Sequence, residues 1–280
     1  MHIGQRLRAA MVKPRVALVS VRYSKYGPLA CSAQWGKEQN VDVKFVKHET
    51  WAEVVLNRPD VKNAIYGPLG LELAKAFEAA QSDDDIQVVL FRGAGGAFCS
   101  GLDLKAFSAE PSPPWMKTWK DTWRHAHRAI FDCSKPIVCA LERFAINGGA
   151  ALAIASDFCI CGEEAFLSVG EVKLGMAAPY NLVWLRLKHS ESVTARLALL
   201  GERVHGPQLL ELGVVTECVA DETVDSRARA FVEHLAAYPP GALSRIKRTS
   251  RALANIDIEA HFDVAIQHAQ GGAKPPPKRS

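Results

Sequence analysis

No run of about 18 or more uninterrupted apolar residues occurs in the 280-residue chain, so no segment is suited to cross a bilayer as a helix. The first thirty residues lack the compact apolar block of a secretory signal. No acidic residue precedes Glu38, whereas Arg6, Arg8, Lys13, Arg15, Arg22, Lys25 and Lys37 all do. That bias fits a transit peptide, and fits equally a basic disordered arm or a start codon set too early. Residues 1–40 are therefore read as a basic N-terminal extension. A large charge excess is also missing: the net +4 is spread along the chain, which argues against dedicated nucleic-acid binding and suits a ligand carrying phosphates. The seven cysteines show neither zinc-type pairing nor a disulfide framework, and a reducing compartment is the simpler expectation. The cytoplasm follows, or the mitochondrial matrix if residues 1–40 are a transit peptide.

What is present is enough apolar sequence, 48% of residues, to bury the core of one large domain. Residues 41–46 and 51–56 read as a hairpin of two strands, closed by the breaker Asn57-Arg58-Pro59-Asp60. Leu69, Leu73, Phe77 and Ala80 carry a helical period, and residues 86–91 form a short apolar strand ended by glycine. The pattern repeats with a helix over 115–131, a strand over 136–141, a helix over 148–156 and a strand over 158–161. Strands alternating with helices predict an α/β fold with a mainly parallel sheet. After Tyr180 the reading turns mostly helical, at 190–200, 206–212, 223–238, 241–253 and 256–269. Such a C-terminal third is too thin for a separate core. The expected organisation is a core over 41–200, a helical region over 201–270 and a disordered Pro/Lys-rich tail over 271–280. Cys159 and Cys161, alternate residues of one strand, should point the same way into the core.

Two glycine-bearing segments stand at the ends of buried strands. The first, Arg92 to Leu104, has glycines at 93, 95, 96 and 101, which let backbone approach a ligand closely, but matches neither the dinucleotide nor the Walker pattern. The second, Asn147-Gly148-Gly149, opens a helix whose first N–H groups lack intrahelical partners and face the positive end of the dipole. Each segment alone is as compatible with a tight structural turn as with ligand binding.

These segments, with Leu56-Asn57-Arg58-Pro59, Asn63-Ala64, the Lys135-Pro136 strand entry and Ser156-Asp157, stand in the order and spacing of the crotonase (enoyl-CoA hydratase/isomerase) superfamily. The resemblance covers roughly residues 41–255. It implies a crotonase-like spiral of repeated ββα units with a helical C-terminal region, assembled as a homotrimer or a dimer of trimers. It implies an acyl-CoA thioester as partner, no membrane or nucleic-acid partner, no metal, and no cofactor beyond the coenzyme A carried by the substrate. It assigns the backbone N–H groups of Leu102 and Gly148 to the thioester oxygen, where preorganised donors stabilise an enolate. It places Lys62 and Lys105 near the coenzyme phosphates and Ala64 at the adenine; either lysine is as readily a solvated surface charge.

Hydratases of the superfamily carry two glutamates. By register the first falls on Ala151 and the second on Glu171, so one carboxylate is missing. A single glutamate beside an oxyanion hole can lift a proton from one carbon and return it two carbons away, and the resemblance is to the one-glutamate isomerases. Glu171 is the expected general acid/base. The Trp115, Trp119 and Trp123 stripe has helical spacing and reads more readily as core or subunit contact than as a platform for the acyl group. His125 and His127, two apart on a helix, do not suit a joint metal site. The residues after Asp263 depart from the family's coenzyme-covering tail, while Lys247 sits where the family carries a helix lysine. Open alternatives are a non-catalytic acyl-CoA binder and another enolate reaction such as decarboxylation or ring opening.

Overall fold

The computed structural model describes residues 41–269; the basic extension and the C-terminal tail lie outside them. The chain begins with an antiparallel hairpin, β1 (Val43–Lys47) and β2 (Trp51–Leu56), followed by α1 (Gly67–Ser82). Next come β3 (Val88–Gly93), the short α2 (Leu104–Phe107) and α3 (Trp119–Asp132). Two further units follow: β4 (Ile137–Leu141), β5 (Phe144–Ile146) and α4 (Gly148–Ala155), then β6 (Phe158–Gly162), β7 (Phe166–Ser168) and α5 (Pro179–Lys188). In both, the first strand joins a six-stranded sheet ordered β1-β2-β3-β4-β6-β9, and the second joins a three-stranded sheet ordered β5-β7-β8. This is the expected repeat of ββα units.

The segment after residue 188 contains α6 (Glu191–Ala198), β8 (Arg203–His205), α7 (Gly206–Glu211), β9 (Glu217–Val219), α8 (Val224–Ala236), α9 (Ala242–Leu253) and α10 (Ile258–Ala269). The stretch expected to be mostly helical therefore also supplies a strand to each sheet. These strands have three residues each, too few for alternation to register. The predicted helix over 115–131 is likewise broken: Pro114–Lys117 is a separate 3-10 turn and α3 starts at Trp119.

Strands β2 and β4 are buried along their whole length, as strands covered on both faces must be. On one face, Leu69, Leu73 and Phe77 of α1 pack with Phe91, Cys139, Cys161 and α4. On the other, Val224, Ala228 and Val232 of α8 cover Val88, Leu90, Val138 and Ile160. The C-terminal helices thus complete the main core instead of forming their own, and Phe262 of α10 packs with Val183 of α5. Cys139 and Cys159 are register partners on β4 and β6; both are buried, as is Cys161. The Lys247 ammonium reaches the Lys135 carbonyl and the Asp157 carboxylate, which also accepts from the Ile137 N–H. That network accounts for the Lys135-Pro136 and Ser156-Asp157 motifs as a clasp on the start of β4. No helix among the described residues is long and apolar enough to cross a membrane.

One buried charge anchors the hairpin. The Glu53 carboxylate, 4% exposed, accepts from Arg229 at 2.6 and 3.1 Å, Arg92 at 2.7 Å and His48 at 2.8 Å. Burial alone would raise its pKa, but the hydrogen bonds from Arg229, Arg92 and His48 prevail and hold it at about 2. A Glu53→Ala variant is expected to lose about 3 kcal/mol in a urea melt, because Arg229 and Arg92 lose their buried counter-ion and keep only the more exposed Asp225, at 2.8 and 3.8 Å. Since the folded pKa lies below the ordinary 4.5, this contribution is complete above pH 4.5 and fades as pH falls from there through 2.

Candidate active site

The turn after β2 is built on Asn63. Its fully buried side chain accepts from the Arg58 N–H at 2.9 Å and donates to the Ala94 and Ala97 carbonyls at 2.9 and 2.7 Å. One amide thereby sews residues 58–63 to the first glycine segment. Arg58 closes the same corner, donating to Asp103 at 3.0 Å and to the Ala64 carbonyl at 2.5 Å, with Tyr66 against its guanidinium. Gly101 has φ +89°, and a Cβ there would stand 2.9 Å from the Ile146 carbonyl oxygen, so only glycine lets the first segment lie against the second. Ile65 pairs with Leu102 and Cys99 with Ala145 as single bridges across this seam.

The second segment turns on Asn147, which holds φ 51° and ψ −114° as the residue before α4. Three neighbours secure it. Its N–H donates to the Ser168 carbonyl at 2.8 Å, its side-chain oxygen accepts from the Gly170 N–H at 2.8 Å, and its carbonyl accepts from Asn181 at 3.0 Å. The following N–H, that of Gly148, is the first of α4 and has no partner among the described residues; nor has the Leu102 N–H.

Leu102, Gly148 and Glu171 line one cavity of about 270 Å³, with Trp119, Trp123 and Tyr180 among its walls. Among the described residues, Glu171 is the only carboxylate on that wall. It opens a 3-10 turn, Glu171–Leu174, and is 8% exposed. Its Oε1 accepts from Asn181 Nδ2 at 2.9 Å, while Oε2 has no partner among the described residues. Burial pushes its pKa up to about 7, against the hydrogen bonds of its own backbone and of Asn181, which favour the charged form. A carboxyl with that pKa gives and takes protons near neutrality. A larger groove of about 470 Å³, between α5 and α10, is walled by residues such as Leu182, Val183 and Val264 and contains no carboxylate.

The other residues singled out from sequence divide. Trp119 and Trp123 belong to the main core, as their spacing suggested, and also stand on the cavity wall; Trp115, outside α3, packs against Gly67 and edge-on to Tyr66 and Phe107. Ala151 is fully buried in α4 and is not part of the wall. His125 pairs with Glu78 at 2.6 Å. His127 lies buried between Tyr180 and Trp123, accepts from the Trp184 indole at 2.9 Å and is pushed down to about 3 by burial, so it stays neutral. Lys62 and Lys105 are exposed and off the wall, each beside a wall element: the Lys62 carbonyl accepts from the Ser100 N–H, and Lys105 follows Leu104. Asn181 was not anticipated. Its one sequence signal is a lone amide within the apolar run of α5.

Known proteins resemble this chain in sequence and in fold. The family model for enoyl-CoA hydratase/isomerase matches residues 47–269. The 1,2-epoxyphenylacetyl-CoA isomerase of Escherichia coli K12 is 29% identical over 215 residues, 75% of this chain and 82% of that protein. Carnitinyl-CoA dehydratase of Proteus mirabilis is 31% identical over 214 residues, 75% of this chain and 80% of that protein. Among solved structures, an enoyl-CoA hydratase/isomerase from Mycobacterium paratuberculosis shares the fold with a TM-score of 0.74 at 24% identity, covering 83% of this chain and 94% of that one.

Proposed function

We propose, from the premise that the chain belongs to the enoyl-CoA hydratase/isomerase family, that it binds an acyl-CoA thioester and moves a proton on it with one carboxylate. The observation that carries this reading is Glu171, the only carboxylate among the described residues of a cavity also lined by Leu102 and Gly148, whose N–H groups have no partner among the described residues. The thioester oxygen lies on those two donors. Glu171 takes a proton from the carbon next to the thioester, the C–H electron pair moves onto the oxygen, and the enolate is held by fixed dipoles in a dry site. Returning the proton two carbons away shifts the double bond by one position. With alanine at 151, no second carboxylate activates water, and isomerisation is favoured over hydration.

Lys62 and Lys105 fit the coenzyme end, since both are exposed and adjoin residues of the cavity wall; Ala64 suits it less, being buried with its N–H given to Val61 and its carbonyl taken by Arg58. Trp119, Trp123 and Tyr180 suit a compact, flat acyl group, because such walls stack on π-systems. Assembly as a trimer belongs to the same reading.

Incubation with a 3-enoyl-CoA and a 2-enoyl-CoA tests it, with products separated by chromatography and mass. The expected result is a shifted double bond at unchanged mass. A product heavier by one water would make the protein a hydratase, and binding without turnover of either would make it a non-catalytic acyl-CoA binder.

A further inference from the structure

We infer that Asn181 is a positioning residue for this site: its amide holds Glu171 Oε1 against the Asn147 carbonyl and leaves Oε2 as the oxygen that carries the proton. The inference rests on the reading of Glu171 as the acid/base. An amide nitrogen has two hydrogens, and both are spent here, one on Oε1 at 2.9 Å and one on the Asn147 carbonyl at 3.0 Å. The second contact matters because Asn147 immediately precedes Gly148, which lines the cavity and whose N–H has no partner among the described residues, and adopts a left-handed φ. One buried side chain, 2% exposed, therefore joins the two halves of the site, the carboxylate and the turn that aims the oxyanion donor. With Oε1 occupied, Oε2 is the carboxylate oxygen that has no partner among the described residues. In the forward step the substrate C–H bond breaks and an O–H bond forms on Oε2; in the return step that O–H bond breaks and the new C–H bond forms.

The groups that face Glu171 make its ionisation a clean report on Asn181. Burial acts on it first, then its own backbone and Asn181, and no charged side chain contributes to its shift. The other titratable group on the cavity wall, Tyr180 of α5, is pushed up to about 12 by burial and stays neutral, while Lys173 on the same turn as Glu171 is exposed.

The test is a pH titration of full-length protein labelled with carboxyl-¹³C glutamate, in which the Glu171 signal is identified by its loss in Glu171→Gln. Asn181→Ala is expected to move the Glu171 midpoint up by about one pH unit, because a hydrogen bond to the charged form is lost. The isosteric Asn181→Asp should move it further, since two carboxylates then share the site. The acid limb of kcat/KM should shift by the same amount, with kcat lowered roughly 10- to 100-fold and KM changed little. An unchanged Glu171 midpoint in both variants would overturn the inference. Full turnover in Glu171→Gln would instead sink the acid/base reading, and the titration would still decide what Asn181 does to the carboxylate.

Discussion

A Glu171→Gln variant is expected to bind an acyl-CoA as the parent does and to turn it over roughly 10²- to 10⁴-fold more slowly, the usual contribution of a positioned acid/base. Glutamine keeps the shape and can still accept from Asn181 at the Oε1 position, so the loss isolates the proton-transfer role. In the parent, kcat/KM should rise with pH through a midpoint near 7, because the base must be ionised and burial has pushed its carboxyl up to about 7. The same burial has a stability consequence of fixed sign. A folded pKa above the ordinary 4.5 means the neutral form is favoured in the fold, so stability falls as pH rises from 4.5 through 7. The variant, which has no charge to bury, should therefore melt at a higher temperature than the parent above pH 7, by the equivalent of about 2–3 kcal/mol. A variant that is inactive yet more stable is the signature of a carboxylate buried for chemistry. Parent-like turnover would remove Glu171 from the mechanism.

Gly148→Pro is expected to cost about 10²–10³ in kcat, the price of one oxyanion donor. A side-chain substitution cannot delete a backbone N–H, whereas proline can, and position 148 is the first residue of α4, where a helix tolerates proline because no intrahelical bond is lost. Gly148→Ala is the control. It keeps the donor and adds a Cβ that meets the flexible end of Ile65 at 3.1 Å, so its loss of turnover should be far smaller. Thermal melts of both variants check that the left-handed Asn147 turn survives. Equal kinetic effects would place the cost in crowding and not in the donor.

Leu102 and Gly148 were assigned by resemblance to a family, which was legible because each lies inside a short local string of glycines and small residues at a strand end. Glu171 could be placed only by its register within a run after Asp157, and nothing in that run announces a pKa near 7. Asn181, and the contacts by which Asn147 holds its turn, escaped notice for a different reason. Their roles are contacts between segments 34 residues apart in sequence, which no local spacing encodes. The tryptophan stripe shows the converse error: the period was real, but α3 begins at Trp119, so Trp115 leaves the face that Trp119 and Trp123 share.

By itself the sequence determined the alternation of strands and helices, because periodicity is a local property, and its motifs, in their order and spacing, pointed to the family to which the chain belongs. Only the tertiary structure decided that Leu102, Gly148 and Glu171 share one cavity, that one carboxylate stands in it, and that this carboxylate is raised toward neutrality and held by Asn181. Those are matters of desolvation and of hydrogen-bond geometry across the seam between two sheets, and they arise only when distant segments are packed together.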